Sequence, residues 1–416
     1  MKKLSKMTVA GLAAALMLAC GALAACGYTP SQSGAQTGQG SDSAQIGQSD
    51  SQTQSSSSQR PAAPIDVVAL APFEYAVNGS ECVIVGVRDF SMTDIVVPDC
   101  VTDIAFGAFS KCPFVSSLTL PVAERNLGDY FGGVNFIPES LTTVVLSDYV
   151  TSIGENAFCD CSSLTSVTIG EGVTSIGGYA FSGCSELTSI EIPDSVTSIG
   201  NYAFYNCSGL MNVTIGEGVT SIGSGAFYNC SGLTSVEIPA SVTSIEGSAF
   251  SGCSGLTSAE IPAGVTSIGE NTFRDCSGLT SVEIPDSVTS IESGAFQNCS
   301  SLTSIDIPAS VTSIGLDAFH GCSSLTNVEI PDSVTSIGNY AFYNCSGLTS
   351  IEIPDSVTSI GYNAFLGCNS LTSAIFENPN GWSVSNTSLA SSDLSDPATA
   401  ARYLTSTYSN YGWSSN

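Results

Sequence analysis

One phenylalanine every 23 residues constrains this chain more than any other feature. It recurs at Phe158, Phe181, Phe204, Phe227, Phe250, Phe273, Phe296, Phe319, Phe342 and Phe365. A cysteine follows each by three positions, from Cys161 to Cys368. A leucine follows by six, from Leu164 to Leu371, and an isoleucine precedes by five, from Ile153 to Ile360. Around them the chain reads Val-Thr-Ser-Ile-Gly-x-x-Ala-Phe-x-x-Cys-Ser-x-Leu-Thr-Ser-x-x-Ile-Pro. A unit this short buries its apolar face only by stacking on its neighbours, so the fixed period predicts a repeat solenoid.

Each unit divides into three pieces. Leu-Thr-Ser-Val-Glu-Ile-Pro alternates apolar and polar residues and reads as a short strand, ended by a proline that cannot donate to a ladder. Val-Thr-Ser-Ile-Gly reads as a second extended piece. Ala-Phe-x-x-Cys-x-x-Leu has a spacing of three, which predicts one helical turn that returns the chain. Strands of adjacent units are then parallel and ~4.8 Å apart. The Thr-Ser pair is constant from Thr151-Ser152 to Thr358-Ser359 and suits a hydroxyl ladder between rungs.

Charge narrows the partners. With 37 acidic and 9 basic residues the net charge is −28, which excludes a nucleic-acid partner that needs clustered Lys and Arg. The cysteine column has neither zinc-ligand spacing nor histidine support, since His320 is the single histidine. It reads as a column of small buried hydrophobes; a ladder of disulfides is the alternative, disfavoured by parallel Cβ directions.

In chain order, Lys2, Lys3 and Lys6 precede an apolar run from Met7 to Leu18, too short to span a bilayer. That run leads to Leu23-Ala24-Ala25-Cys26. This resembles the lipobox of bacterial lipoproteins, which implies a signal peptide over 1–25 and lipid on the Cys26 sulfur, holding the chain to a membrane without spanning it. Residues 26–60, rich in Ser, Gln and Gly, form a flexible lipid-anchored linker. Residues 61–94 contain Asn78-Gly79 between two apolar runs, a hairpin signal, and read as an N-terminal β cap. The solenoid then covers 95–378 and is irregular near 122–140, where Phe109 and Phe158 stand 49 residues apart, two periods plus three. Residues 379–416 read as a C-terminal cap, with Asp396-Pro397 starting a helix whose buried face includes Ala400, Ala401 and Leu404.

The repeated Val-Thr-Ser-Ile-Gly-x-x-Ala-Phe-x-x-Cys-Ser-x-Leu resembles the BspA-like (Treponema-type) leucine-rich repeat, over roughly Ile95 to Phe376. The resemblance implies a leucine-rich-repeat solenoid on a bacterial cell surface. It also implies binding of an extracellular protein or glycan, such as host matrix or another bacterial surface, in adhesion. It supplies no catalytic motif and no cofactor. The alternative is a structural surface or stalk protein without a specific ligand.

Two sets of positions remain for recognition. The outward strand position carries carboxylates at Glu191, Glu237, Glu260, Glu283, Asp306, Glu329 and Glu352, a strip that could take calcium or a basic protein surface. No metal site is assigned on it. Around the phenylalanines, Tyr179, Tyr202, Tyr205, Tyr228, Tyr340 and Tyr343 stand among Asn, Ser and Gly, the palette of adaptable binding surfaces. With one histidine in a variable position, no catalytic residue is assigned and no enzyme is expected.

Overall fold

The computed structural model of the protein describes residues 65–66 and 68–415. The expected signal segment, the lipid site at Cys26 and the linker therefore lie outside the described residues. The chain divides into two units, residues 1–62 with 78–80 and residues 63–77 with 81–416, and the second holds the whole repeat array.

Thirteen short parallel strands, from Asp94–Val96 to Ser373–Phe376, recur once per repeat. Adjacent strands pair in register from Asp94–Val96 to Ser281–Glu283, as in Val213 with Val236 and Val213 with Ile190, and then in two further pairs, Ser304–Asp306 with Asn327–Glu329 and Ser350–Ile353 with Ser373–Phe376. Ser-Val-Glu alternates exposed, buried, exposed, because successive side chains of a strand point to opposite faces. At ~4.8 Å per rung the ladder is about 58 Å long. A second ladder is built from Ser-Ile pairs, Ser175–Ile176 to Ser359–Ile360. Its threonines tie the rungs as the constant Thr-Ser pair predicts. Thr174, Thr197 and Thr220 each donate through Oγ1 to the threonine carbonyl 23 residues earlier, at 3.0–3.1 Å.

The expected helical turn is absent, and its place is taken by a run of turns. The residues two before and two after most of the phenylalanines are left-handed, as at Asn156 (φ 57°) and Asp160 (φ 60°). A right-handed helix cannot pass through such residues. Their geometry serves another purpose. Tyr179, Phe181 and Gly183 each donate a backbone N–H to the next rung, to the carbonyls of Asn201, Ala203 and Tyr205 at 2.7–2.9 Å. A helix would spend those amides within itself. The turn spends them on stacking.

The core lies between the ladders and the turns. The ten phenylalanine rings form an unbroken stack, with neighbouring centroids 5.1–5.6 Å apart and planes within 10°. Beside it runs the cysteine column, buried throughout and free of disulfides. From Cys184 to Cys368 each thiol donates to the phenylalanine carbonyl 26 residues earlier, at 3.0–3.2 Å. Burial pushes the Cys207 and Cys253 thiols up to about 12, which keeps these donors protonated.

Two places depart from the regular stack. Between 122 and 140 the chain forms a short helix, Leu127–Phe131, and a 3-10 turn, Val134–Phe136. Buried Tyr130 and Phe131 pack edge-on against Phe109, in place of a stacked ring. The second departure is internal. In the Ser-Ile ladder, Thr174, Thr197, Thr220 and Thr243 each donate a backbone N–H to the threonine before, and so do Thr289, Thr312, Thr335 and Thr358. Thr266 does not, and Gly269 does not reach Ile245, so the ladder is interrupted between Ile245 and Ile268. Three substitutions of the repeat coincide there. Glu246 stands where most rungs have glycine, Thr272 where the others have alanine, and Gly264, like Gly172 and Gly218, lacks the serine hydroxyl that in six rungs bonds the valine carbonyl of the rung before. The glycine matters because rungs approach closely at that position. A Cβ on Gly200 would meet the Gly177 carbonyl carbon at 2.6 Å. Glu292 makes the same exchange in a rung with Ala295, and there the ladder continues through Gly315 to Ile291. Gly218 likewise leaves the ladder whole, so Thr272 is the exchange peculiar to this join.

At the C-terminal end, Asp396 accepts from the Thr399 amide at 3.1 Å and Pro397 opens a helix over Pro397–Arg402, as the sequence predicts. The last strand, Trp413–Ser415, pairs antiparallel with Ser359–Ile360 and with Trp382–Val384.

Candidate functional site

The acidic positions fall on the outer face of the strand ladder, all of them exposed. Glu260 pairs directly with Glu283, and Asp306 with Glu329. Glu191 and Glu237 are separated by Thr214, and Glu352 faces Ile375. The seven carboxylates therefore share a face without forming one continuous column. Side chains of a parallel ladder point the same way, so neighbours offer single oxygens side by side and no cage of six to eight. Among the described residues no group of three His, Cys, Asp or Glu is placed to hold a metal ion. Glu171, Glu191, Asp194, Glu217 and Glu237 do surround one shallow depression. Part of this acidity has a structural job: the carboxylates of Asp148 and Asp194 accept the backbone amides of Glu171 and Glu217 in the next rung, at 3.1 and 2.8 Å.

The tyrosines gather into two patches on the turns. In the first, Tyr179 stacks on Tyr202 at 5.1 Å, Tyr202 meets Tyr205 edge-on at 5.9 Å, and Tyr205 stacks on Tyr228 at 5.4 Å. Partial burial, with Tyr202 next to it, raises the Tyr179 phenol above its ordinary value. In the second patch, Tyr343 contacts His320 at 4.8 Å and Tyr340 at 5.6 Å, and Tyr340 meets Tyr362 at 5.8 Å. His320 is held by Asp317, with Nδ1 2.9 Å from Oδ1, and lies 3.2 Å from the Gln297 amide. No serine or cysteine hydrogen-bonds to this ring, so it is built as part of an aromatic surface.

Backbone conformation sets three of these tyrosines apart. Tyr179, Tyr202 and Tyr340 occupy the left-handed position two before phenylalanine, with φ of 54–56°. Other rungs fill it with Asn, Gly, Asp or Ser, residues that tolerate this region; a bulky side chain there is an outlier. In the first patch the next rung makes room: a Cβ on Gly225 would collide with the Tyr202 ring. Sequence reasoning missed Gly225, although the alternation of Tyr and Gly at one repeat position was there to be seen. It also missed that Glu191–Leu210 and Glu329–Leu348 are identical over 20 residues, six periods apart. The Asn-Tyr-Ala-Phe-Tyr-Asn turn is thus presented twice, about 29 Å apart along the ladder.

A search of curated proteins finds no match. Among solved structures, a leucine rich cell surface protein from Faecalibacterium prausnitzii A2-165 is 30% identical, over 76% of this chain and 95% of that one, with a TM-score of 0.40. A leucine-rich repeat protein from Bacteroides ovatus ATCC 8483 is 26% identical, over 75% and 94%, with a TM-score of 0.41. The pneumococcal vaccine antigen PcpA is 19% identical, over 75% and 81%, with a TM-score of 0.44. The family itself is identified by sequence. The BspA type leucine rich repeat region, in six copies, matches residues 88–136, 131–257, 244–372 and 295–399. These matches span most of the chain, which belongs to the BspA-type leucine-rich repeat family.

Proposed function

We propose that this chain is a bacterial surface lipoprotein that binds extracellular protein or glycan partners in adhesion, through its two tyrosine-bearing turn patches. The observation that carries this reading is the left-handed backbone at Tyr179, Tyr202 and Tyr340. A left-handed L-residue costs roughly 1–2 kcal/mol, which Asn or Gly largely avoids. Other rungs stack without tyrosine at this position, so stacking does not account for it. Tyrosine offers a large, rigid, amphipathic contact at low entropic cost, which suits recognition.

Because Asn156, Asn271 and Asn363 hold the same backbone conformation in other rungs, asparagine is the conservative replacement. The triple variant Tyr179→Asn, Tyr202→Asn and Tyr340→Asn should melt no lower than the parent, since asparagine relieves the left-handed strain. It should lose at least about tenfold in affinity for whichever of immobilised matrix proteins, mucin glycans or intact bacterial cells the parent binds saturably, since buried tyrosine hot spots contribute about 2 kcal/mol each. Undiminished binding would exclude the tyrosine patches. Saturable binding to none of these surfaces would favour the stalk reading.

The anchor is tested separately. Replacing Cys26 by Ser should move the protein from the membrane fraction to the soluble fraction, with no change in its affinity. Retention of the variant on membranes would refute lipid attachment at that cysteine.

A further inference from the structure

Cys82 and Cys100 differ from the cysteine column. In the column each thiol donates to a carbonyl of the previous rung, and parallel Cβ directions keep neighbouring sulfurs from bridging. Cys82 instead has Cys100 as its neighbour across a strand pairing; burial first, and the Cys100 side chain after it, raise the Cys82 thiol to about 11.

The backbone brings the two together and holds them there. Strand Glu81–Val87 pairs in parallel with Asp103–Ile104, Val83 opposite Asp103. Thr102 clamps Cys82 at three points. Its amide donates to the Cys82 carbonyl at 2.8 Å, and its hydroxyl lies 3.0 Å from the Cys82 nitrogen and 3.1 Å from the Cys82 oxygen. Two residues upstream, a turn closed by Val101 N–H to the Pro98 carbonyl at 2.9 Å sets the place of Cys100. Both cysteines are buried, at 0% and 6% exposure, so folding encloses the two side chains at one place in the cap.

We propose that Cys82 and Cys100 form a disulfide that ties the first β-hairpin to the start of the repeat array. The oxidant is an external disulfide, either a small-molecule one or that of a thiol oxidoreductase. One cysteine thiolate attacks a sulfur of the external disulfide, forming a mixed disulfide and expelling one thiolate. The second cysteine thiolate attacks the protein sulfur of the mixed disulfide, closing Cys82–Cys100 and expelling the other. The two protons lost by the cysteines pass to the two expelled thiolates, so one external disulfide becomes two thiols. Burial disfavours the Cys82 thiolate in the finished fold, so the exchange belongs to the folding phase, while the cap is still open.

The test folds the full chain in a buffer of reduced and oxidised glutathione, denatures it, alkylates free thiols and cleaves after Arg and Lys. Arg88 separates the two cysteines, so they fall in different peptides. The expected result is one joined pair through Cys82 and Cys100, with Cys184 to Cys368 alkylated. Complete alkylation of both residues, or joining of either to Cys112, would overturn the proposal. A second measurement is independent of the mapping. Reductant should lower the melting temperature of the parent by several degrees and leave a Cys82→Ala, Cys100→Ala double variant unmoved. An equal shift in both would overturn it as well. Should the double variant not fold, the peptide mapping of the parent decides alone.

Discussion

Replacing Phe273 by Ala should cost about 3–5 kcal/mol and split one unfolding transition into two. The first part follows from burial: Phe273 is fully buried and stacks at 5.6 Å on both Phe250 and Phe296. The second follows from its location. In a solenoid each rung contacts only its neighbours, so cooperativity passes through nearest-neighbour interfaces one at a time. At the join between the Phe250 and Phe273 rungs the Ser-Ile ladder is already interrupted. Continuity there rests on the strand pairing of Ser258 with Ser281 and Ser235 with Ser258, on the turn amides, and on the ring stack. Removing the ring weakens further an interface that already lacks one of its two ladders. Calorimetry should then resolve two transitions, with amide exchange fastest around residues 245–273. A single transition displaced by less than 1 kcal/mol would show that the ring stack is not what couples the halves.

A comparable loss at the end of the array should look different. Trp413 is buried against Phe376, Trp382 and Tyr408, and its indole N–H donates to the Tyr408 carbonyl at 3.2 Å. Its strand completes the ladder at Ser359–Ile360 with antiparallel bonds. Trp413→Ala should again cost about 3–5 kcal/mol, this time as fraying from one end. Hydrogen exchange would report it: protection should fall at Thr358–Gly361 and Ser373–Phe376 and persist around Phe181. Uniform loss of protection along the array would contradict the picture of an end cover.

How much of this could be read from the chain alone depends on what each residue reports. Val, Ile, Phe, Cys and Leu recur at one period and are all buried, so their spacing revealed the stack and its in-phase strands directly. The turn was legible in type and misread in handedness. A spacing of three between Phe, Cys and Leu suits a helical turn as well as a run of tight turns, because both bring every third residue to one side. What separates them is the left-handed pair flanking the phenylalanine, signalled by Asn, Asp and Gly at those positions. The tyrosines at the same position obscured that signal, since tyrosine rarely adopts this conformation. The acidic residues were assigned to the correct face, and the 23-residue period already places Thr214 between Glu191 and Glu237 and Glu260 beside Glu283, as the strand pairing has them. The interruption near Ile245 was invisible. Glu292 and Gly218 show that either of those exchanges leaves the ladder whole, and Thr272, the one found only at this join, is a small change that does not announce a gap.

The twin Asn-Tyr-Ala-Phe-Tyr-Asn turns have a consequence for how such a chain can change over generations. From Phe158 to Phe365 every rung offers its neighbour the same ring, so recombination between two regular repeats rejoins the ring stack without a fault in register. One unit gained or lost between Tyr202 and Tyr340 would move the twin turns by ~4.8 Å and leave each intact. The gene can thus adjust the interval between two copies of one surface as a vernier does, in fixed steps, while the interior never registers the change.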